Sequence, residues 1–332
     1  MKNKRENWID YLRGMGAIFV LLGHLVSYSS KLKFYLYSFH MPLFFFISGY
    51  LFKYEKNYLK LIKKNLKKLI LPYLFFGVLT IIIVVLLGEK ISFIDAVKGL
   101  SFFNGSFPWN TSLWFFIVLF YSIIITNIIV GIVKNNKCAF TFVFCINIII
   151  CYMIKRLNIT LPFGINITFF SLIFYWLGYI IKNNYFHIKN IICKVYNYKL
   201  IIIPIVILFI LSFYISYKNE RIVMSQCIYP RFIIFIFLSM VGIFIYSFIA
   251  KKIRYGKILK IFSELSLIMF STQRILFRFI DIISRKLDIV LIGSNNYIVV
   301  FIIFVAILLF YLLYYKIKKI GGKLCVKKLK DW

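Results

Sequence analysis

Ten apolar runs, each near twenty residues and separated by clusters rich in Lys, Asn and Gly, dominate the chain. About twenty apolar residues are what an α-helix needs to cross the hydrocarbon core of a bilayer. A backbone inside lipid must satisfy all its own polar groups, which restricts spanning structures to helices and closed barrels. Runs of this length, without strict alternation, read as helices. They lie near residues 8–28, 36–52, 69–88, 112–133, 138–154, 162–181, 200–217, 230–250, 262–281 and 297–315. With 62% apolar and only 16% charged residues among 332, no sizeable soluble domain fits beside them. The expected fold is all-α: a polytopic integral membrane bundle of about ten transmembrane helices, forming a single domain over 1–332.

A formal charge of +32 would suggest nucleic acid in a soluble protein, but here position decides its meaning. With the amino terminus inside, the connections on the inner side hold 28 Lys and Arg against 11 on the outer side. That asymmetry places both termini in the cytoplasm. It is accounted for by anionic lipid at the inner leaflet, so the expected partner is membrane lipid and not nucleic acid. The basic start at Lys2, Lys4 and Arg5 imitates a secretory leader, but no small-x-small cleavage site follows. The first run is therefore read as a span. Six cysteines show neither a CxxC pair nor a His at ligand spacing, so no metal and no disulfide frame are expected. No internal repeat of the transporter kind is visible. The longest outer connection, 89–111, carries Phe102, Phe103, Phe107 and Trp109 and is too apolar for a solvated loop; it should lie on or dip into the outer face.

Ionisable groups inside spans are costly, about 2.5–3.5 kcal/mol near the centre on insertion scales, and each is a functional candidate. The first run offers Asp10, Arg13 and His24, the second His40, and the ninth Glu264, Arg274, Arg278 and Asp281. Arg13 and His24 are eleven residues apart. On a helix this places them within about 20° of one face and about 16 Å apart along the axis. One stripe thus joins an inner anion-binding group to an outer acid/base group. Arg13 also reads as a snorkelling cation partnered by Asp10, and His24 as a buried, hydrogen-bonded histidine. His40 should sit at a depth similar to His24. Pro42, two residues on, lacks the amide that would bond to the Ser38 carbonyl, leaving a free acceptor and a kink beside His40. His187 falls in an inner connection and reads as solvated.

Arg13-x10-His24, followed by the run Ser38-Phe39-His40-Met41-Pro42-Leu43-Phe44-Phe45-Phe46-Ile47-Ser48-Gly49-Tyr50-Leu51-Phe52, resembles the membrane-bound acyltransferase 3 family. Its marks are Arg-x10-His in the first span and FFxxSG in the second. Leu71-Pro72-Tyr73 and Leu113-Trp114-Phe115 resemble further segments of it. The resemblance implies about ten spans, a cytoplasmic amino terminus, and transfer of acyl groups, commonly acetyl, onto extracytoplasmic glycans. One departure stands out. Where many relatives carry a Tyr followed three residues later by His, this chain has Phe270 and Gln273, and an amide carries no proton at neutral pH. Suspicion in the ninth span moves to Arg274 and Arg278.

The resemblance implies acetyl-CoA or another acyl-CoA as donor on the cytoplasmic side and a glycan or lipid-linked sugar as acceptor outside. Arg13, helped by Lys63, Lys64, Lys67 and Lys68, is then expected to hold the donor's phosphates. The pantetheine arm would pass Ser48 and Gly49 to reach His24, which serves as general base or takes the acyl group itself. Asp10, His40 and Arg274 are supporting groups, Asp10 orienting Arg13 and Arg274 a candidate oxyanion donor. Trp109 and Tyr229 are expected to stack on sugar rings, with Glu220, Arg221 and Arg231 bonding hydroxyls or acidic groups. Two readings from other classes remain: an exporter of polysaccharide or lipid-linked sugar, and a sensory membrane protein on the same fold.

Overall fold

A computed structural model describes residues 6–27, 29–103, 105, 107–134, 136–159, 161–183, 202–288, 290–294 and 296–328. Its helices are α1 (Asn7–Leu25), α2 (Lys31–Tyr50), α3 (Tyr58–Asn65), α4 (Leu71–Leu86), α5 (Phe93–Leu100), α6 (Trp114–Val133), α7 (Lys137–Arg156), α8 (Ile165–Lys182), α9 (Ile202–Lys218), α10 (Phe232–Lys252), α11 (Lys257–Leu287) and α12 (Tyr297–Lys328). Each of the ten apolar runs coincides with one of the long helices, and among the described residues no strand forms beyond one isolated bridge, Val223 with Ile228. The fold is the expected polytopic all-α bundle. His187 lies outside the described residues.

The helices extend beyond the apolar runs that mark them in the sequence. α3 and α4 join through a wide turn at Leu66–Ile70, making one helical stretch over Tyr58–Leu86. Pro72 cannot bond to the carbonyl four residues back, and the preceding turn is of the π form that often accommodates such a break. α11 covers 31 residues rather than the twenty of its apolar run. Side-chain caps at Asn57, Ser92 and Asn136 start α3, α5 and α7 by accepting from backbone amides three residues on.

Six of these stretches are long and apolar enough to cross a membrane by length and composition: Tyr58–Leu86, Pro108–Val133, Lys137–Arg156, Pro162–Lys182, Phe232–Lys252 and Tyr297–Lys319. α9 is apolar but shorter, at 17 residues. The others, α1, α2 and α11, carry the ionisable groups. α1 packs against α2, α10, α11 and α12, and α2 against α8, α9 and α10 as well. Two close approaches explain how these helices meet. A Cβ on Gly14 would lie 2.1 Å from the Leu259 carbonyl oxygen of α11, and one on Gly49 would lie 1.7 Å from that of Tyr175 on α8. Small residues let backbones touch where membrane helices cross.

The bundle has two distinct ends. At one, Glu6 accepts from Trp8 Nε1 at 2.8 Å, Tyr50 Oη at 3.0 Å and Lys182 Nζ at 2.9 Å, drawing together the start of α1 and the ends of α2 and α8. At the other, the end of α1 is closed by Lys33 Nζ on the Val26 carbonyl at 3.0 Å and by the Gly293 amide on the Leu25 carbonyl at 2.9 Å. The connection 89–111 packs at this second end: Phe102 and Phe107 are buried, and α5 turns Phe93 and Ile94 outward.

Candidate active site

The second end contains a cavity of about 480 Å³. Its walls come from the end of α1 (His24), the start of α2 (Tyr37, His40, Met41), the stretch Pro108–Trp114, the turn Arg221–Gln226 and one face of α11 (Arg274, Phe277, Arg278, Asp281). The spacing on α11 follows from the helical repeat, since positions 274, 277, 278 and 281 share a face.

Three contacts organise it. His24 Nδ1 lies 3.2 Å from Arg274 Nη2 and 3.1 Å from Tyr37 Oη. His40 Nδ1 bonds the Leu36 carbonyl one turn back on its own helix. The Tyr37 ring stands between the imidazoles, edge-on to His24 at 5.9 Å and to His40 at 4.9 Å. Arg278 pairs with Glu89 and reaches toward the Trp109 carbonyl. With Arg278 paired to Glu89, the lining holds Arg221 and Arg274 against one carboxylate, Asp281, and stays net cationic.

The stretch before α6 is fixed to α11 by two buried bonds. Asn110 Nδ2 donates to the Ser271 carbonyl at 2.8 Å, and Gln273 Nε2 donates to Ser112 Oγ at 2.7 Å. These anchors aim Trp109, Thr111 and Ser112 into the cavity. Gln273, 1% exposed, thus acts as a tie between elements, and Phe270 packs edge-on to Phe44 at 4.8 Å and Phe115 at 5.4 Å. The acceptor that Pro42 leaves on α2 is taken up as well: Ser239 Oγ of α10 donates to the Ser38 carbonyl at 2.7 Å, and α2 continues unbroken.

The Arg13 end of the stripe lies away from this cavity. Arg13 is half-buried on α1, within electrostatic reach of Lys68, which in turn senses Lys64. Lys67 is exposed beside them. Asp10 is buried, and both it and Arg13 have partners within the protein. Ala17 and Val20, both buried, occupy the same face of α1 between Arg13 and His24. Ser48 is half-buried on α2.

Several expected placements need correction. Gly49 has no room for a passing donor, because its Cα is pressed against α8 and its lack of a side chain serves that packing. Tyr229 is fully buried, stacked on Phe235 at 4.7 Å and against Phe170 at 4.3 Å, so it cannot stack on a sugar. Arg231 and Glu220 are exposed and outside the cavity lining; Arg221 lines it instead. Trp109 does line it. Sequence reasoning missed Tyr37, Thr111, Ser112, Ser225 and Gln226. Tyr37 was within reach of the sequence, one helical turn before His40; the two loop segments carried no pattern. Among the described residues, no group of three or more His, Cys, Asp or Glu converges as a metal site would require.

A family model described as an acyltransferase domain, that of the acyltransferase 3 family, matches residues 6–315. No curated protein and no solved structure matches the chain.

Proposed function

The chain belongs to the acyltransferase 3 family, and from that premise we propose that this membrane acyltransferase moves an acyl group, acetyl in the simplest case, from cytoplasmic acyl-CoA to a hydroxyl of an extracytoplasmic glycan or lipid-linked sugar. The observation that carries this reading is the pairing of His24 with Arg274 inside the cavity, on the same helix face as Arg13 at the opposite end.

The bundle end that holds Arg13, Lys64 and Lys68 faces the cytoplasm, with both termini on that side. There the guanidinium and ammonium groups hold the donor's phosphates. The thioester travels along the face of α1 that carries Ala17 and Val20 and meets His24. Because these residues are packed, the entering arm has to part α1 from its neighbours. At the cavity, Arg274 holds His24 through Nδ1 and adds positive charge beside the reacting group. Trp109, Thr111, Ser112 and Arg221 hold the acceptor. The cationic lining suits an acceptor rich in oxygen, including one with acidic groups.

Cell-surface glycans from strains with and without the gene, compared by mass spectrometry, test the reading. A single acyl mass lost with the gene and restored by the wild-type gene, but not by His24→Ala, is expected. Identical glycans in both strains would defeat it.

A further inference from the structure

The two imidazoles in the cavity hold their protons on opposite nitrogens. A carbonyl oxygen only accepts, so His40 Nδ1, bonded to the Leu36 carbonyl, must carry the ring proton. Its Nε2 is then a bare lone pair, on a ring that lines the cavity. A guanidinium only donates, so His24 Nδ1, 3.2 Å from Arg274 Nη2, must be the acceptor. The Tyr37 hydroxyl at 3.1 Å is a second donor to the same atom. The neutral His24 ring therefore carries its proton on Nε2. A second ring nitrogen's hydrogen bond sets the tautomer in this way.

From this we infer that His40, and not His24, is the general base of the acyl transfer, with His24 donating its Nε2–H to the reacting carbonyl. The inference rests on the acyl-transfer reading given above. His24 is poorly placed to take a proton, because protonating Nδ1 would set an imidazolium N–H against the guanidinium of Arg274. His40 meets a backbone carbonyl at the corresponding atom, which favours a ring that becomes cationic.

His40 Nε2 takes the acceptor hydroxyl's proton while the hydroxyl oxygen bonds to the thioester carbon. The carbonyl oxygen gains the negative charge and accepts a hydrogen bond from the His24 Nε2–H, which stays on the ring. The tetrahedral centre collapses, the C–S bond breaks, and the departing sulfur takes the proton from His40. Ester and free CoA thiol result, and His40 returns to its starting tautomer while His24 keeps its own. No acyl-histidine forms, because Nε2 of His24 is protonated throughout.

Two measurements test this, and they fail separately. The first reads the tautomers without any turnover. The chain has three histidines, so protein labelled with 15N-histidine, in nanodiscs at neutral pH, gives a spectrum assignable from His24→Gln and His40→Gln. A bare Nε2 on His40 and a protonated Nε2 on His24 are expected. Bare Nε2 on both, or the reverse assignment, overturns the inference even if acyl transfer is established.

The second measures acyl groups per surface glycan in cells carrying each variant at matched membrane level. Glutamine keeps an N–H near the Nε2 position and cannot act as a base. His40→Gln should lose at least about 100-fold, the lower range for removing a general base, and external imidazole should restore part of the loss in His40→Ala. His24→Gln should stay well above His24→Ala. His40→Gln within tenfold of wild type, no rescue by imidazole, or His24→Gln as inactive as His24→Ala would each overturn the assignment. If wild-type cells show no acylation at all while the tautomers are as stated, the failure lies with the acyl-transfer reading.

Discussion

Ser239 is the residue through which α10 holds the histidine-bearing turn of α2. Pro42 supplies no amide to the Ser38 carbonyl, and Ser239 Oγ donates to it at 2.7 Å in its place. Ser38 is 1% exposed and Ser239 fully buried, so no water stands ready to replace the bond. Ser239→Ala leaves a buried carbonyl unsatisfied, at about 1–3 kcal/mol. For domains of 150–250 residues 1 kcal/mol moves the midpoint by about 2–4 °C, and a larger chain moves less. A fall of about 2–6 °C is therefore expected, read by tryptophan fluorescence on heating in detergent. The sharper test is a double-mutant cycle. Pro42→Ala restores an amide that bonds to the Ser38 carbonyl within α2, so Ser239→Ala should be much less harmful in that background. A coupling of at least about 0.5 kcal/mol is expected for two groups serving one acceptor. Strictly additive effects, or a Ser239→Ala midpoint equal to wild type, would refute the idea that this carbonyl needs its partner.

Three further outcomes follow from other parts of the bundle. Arg13→Lys keeps the charge but loses the planar fork, and should weaken acetyl-CoA binding in calorimetry less than Arg13→Ala; for the loss of one charged hydrogen bond, about 1.5–3 kcal/mol, the Ala variant should bind at least about tenfold more weakly, and equal affinities would end the donor-site assignment. Burial works to raise the Glu6 carboxyl, but the bonds from Lys182, Trp8 and Tyr50 outweigh it and hold the group below its ordinary value. A depressed carboxyl contributes stability above its unfolded value, near 4.3, and loses it as pH falls through the folded value. The wild-type midpoint should therefore drop more steeply than that of Glu6→Gln on acidification below about pH 4.3, and parallel curves would discount the Glu6 cluster. A reporter fused after Trp332 should behave as cytoplasmic, and an extracytoplasmic signal would reverse the orientation.

The sequence made the stripe legible because both residues sit on one regular helix: Arg13 and His24 share a face by arithmetic alone. His40 and Pro42 were legible for the same reason, down to the carbonyl that Pro42 frees. What receives that carbonyl was not, since Ser239 lies on α10, and a serine in an apolar run gives no sign of where it points. The same limit hid the partner of His24. Arg274 is 250 residues away in sequence, and only the crossing of α1 with α11 joins them. Errors gathered where chemistry was assigned by residue type and predicted side alone. Tyr229 looked like an interfacial aromatic but turns into the core, whereas Arg221 and not Arg231 reaches the cavity.

Hydropathy also carries information where it fails. A helix that touches lipid must present apolar side chains outward, and α4, α7, α9 and α12 do so with residues such as Phe75, Phe142, Ile203 and Phe301. No large apolar side chain of α1 or α2 is exposed. Helices enclosed on all sides need only match their neighbours, so they can carry Asp10, Arg13, His24 and His40 without setting these groups in hydrocarbon. The helices too polar to qualify as spans by composition, α1, α2 and α11, supply the cavity's histidines and, with Arg221 of the turn before α10, its guanidinium groups. This also weighs against Arg13 as a snorkelling anchor. A snorkelling cation belongs on a lipid-facing helix, where its stem covers apolar surface and its head reaches the interface. Arg13 instead is half-buried on a helix that presents no large apolar side chain outward, near Lys68 and one turn from buried Asp10. On the reading proposed above, the anion these cations await is the donor's phosphates.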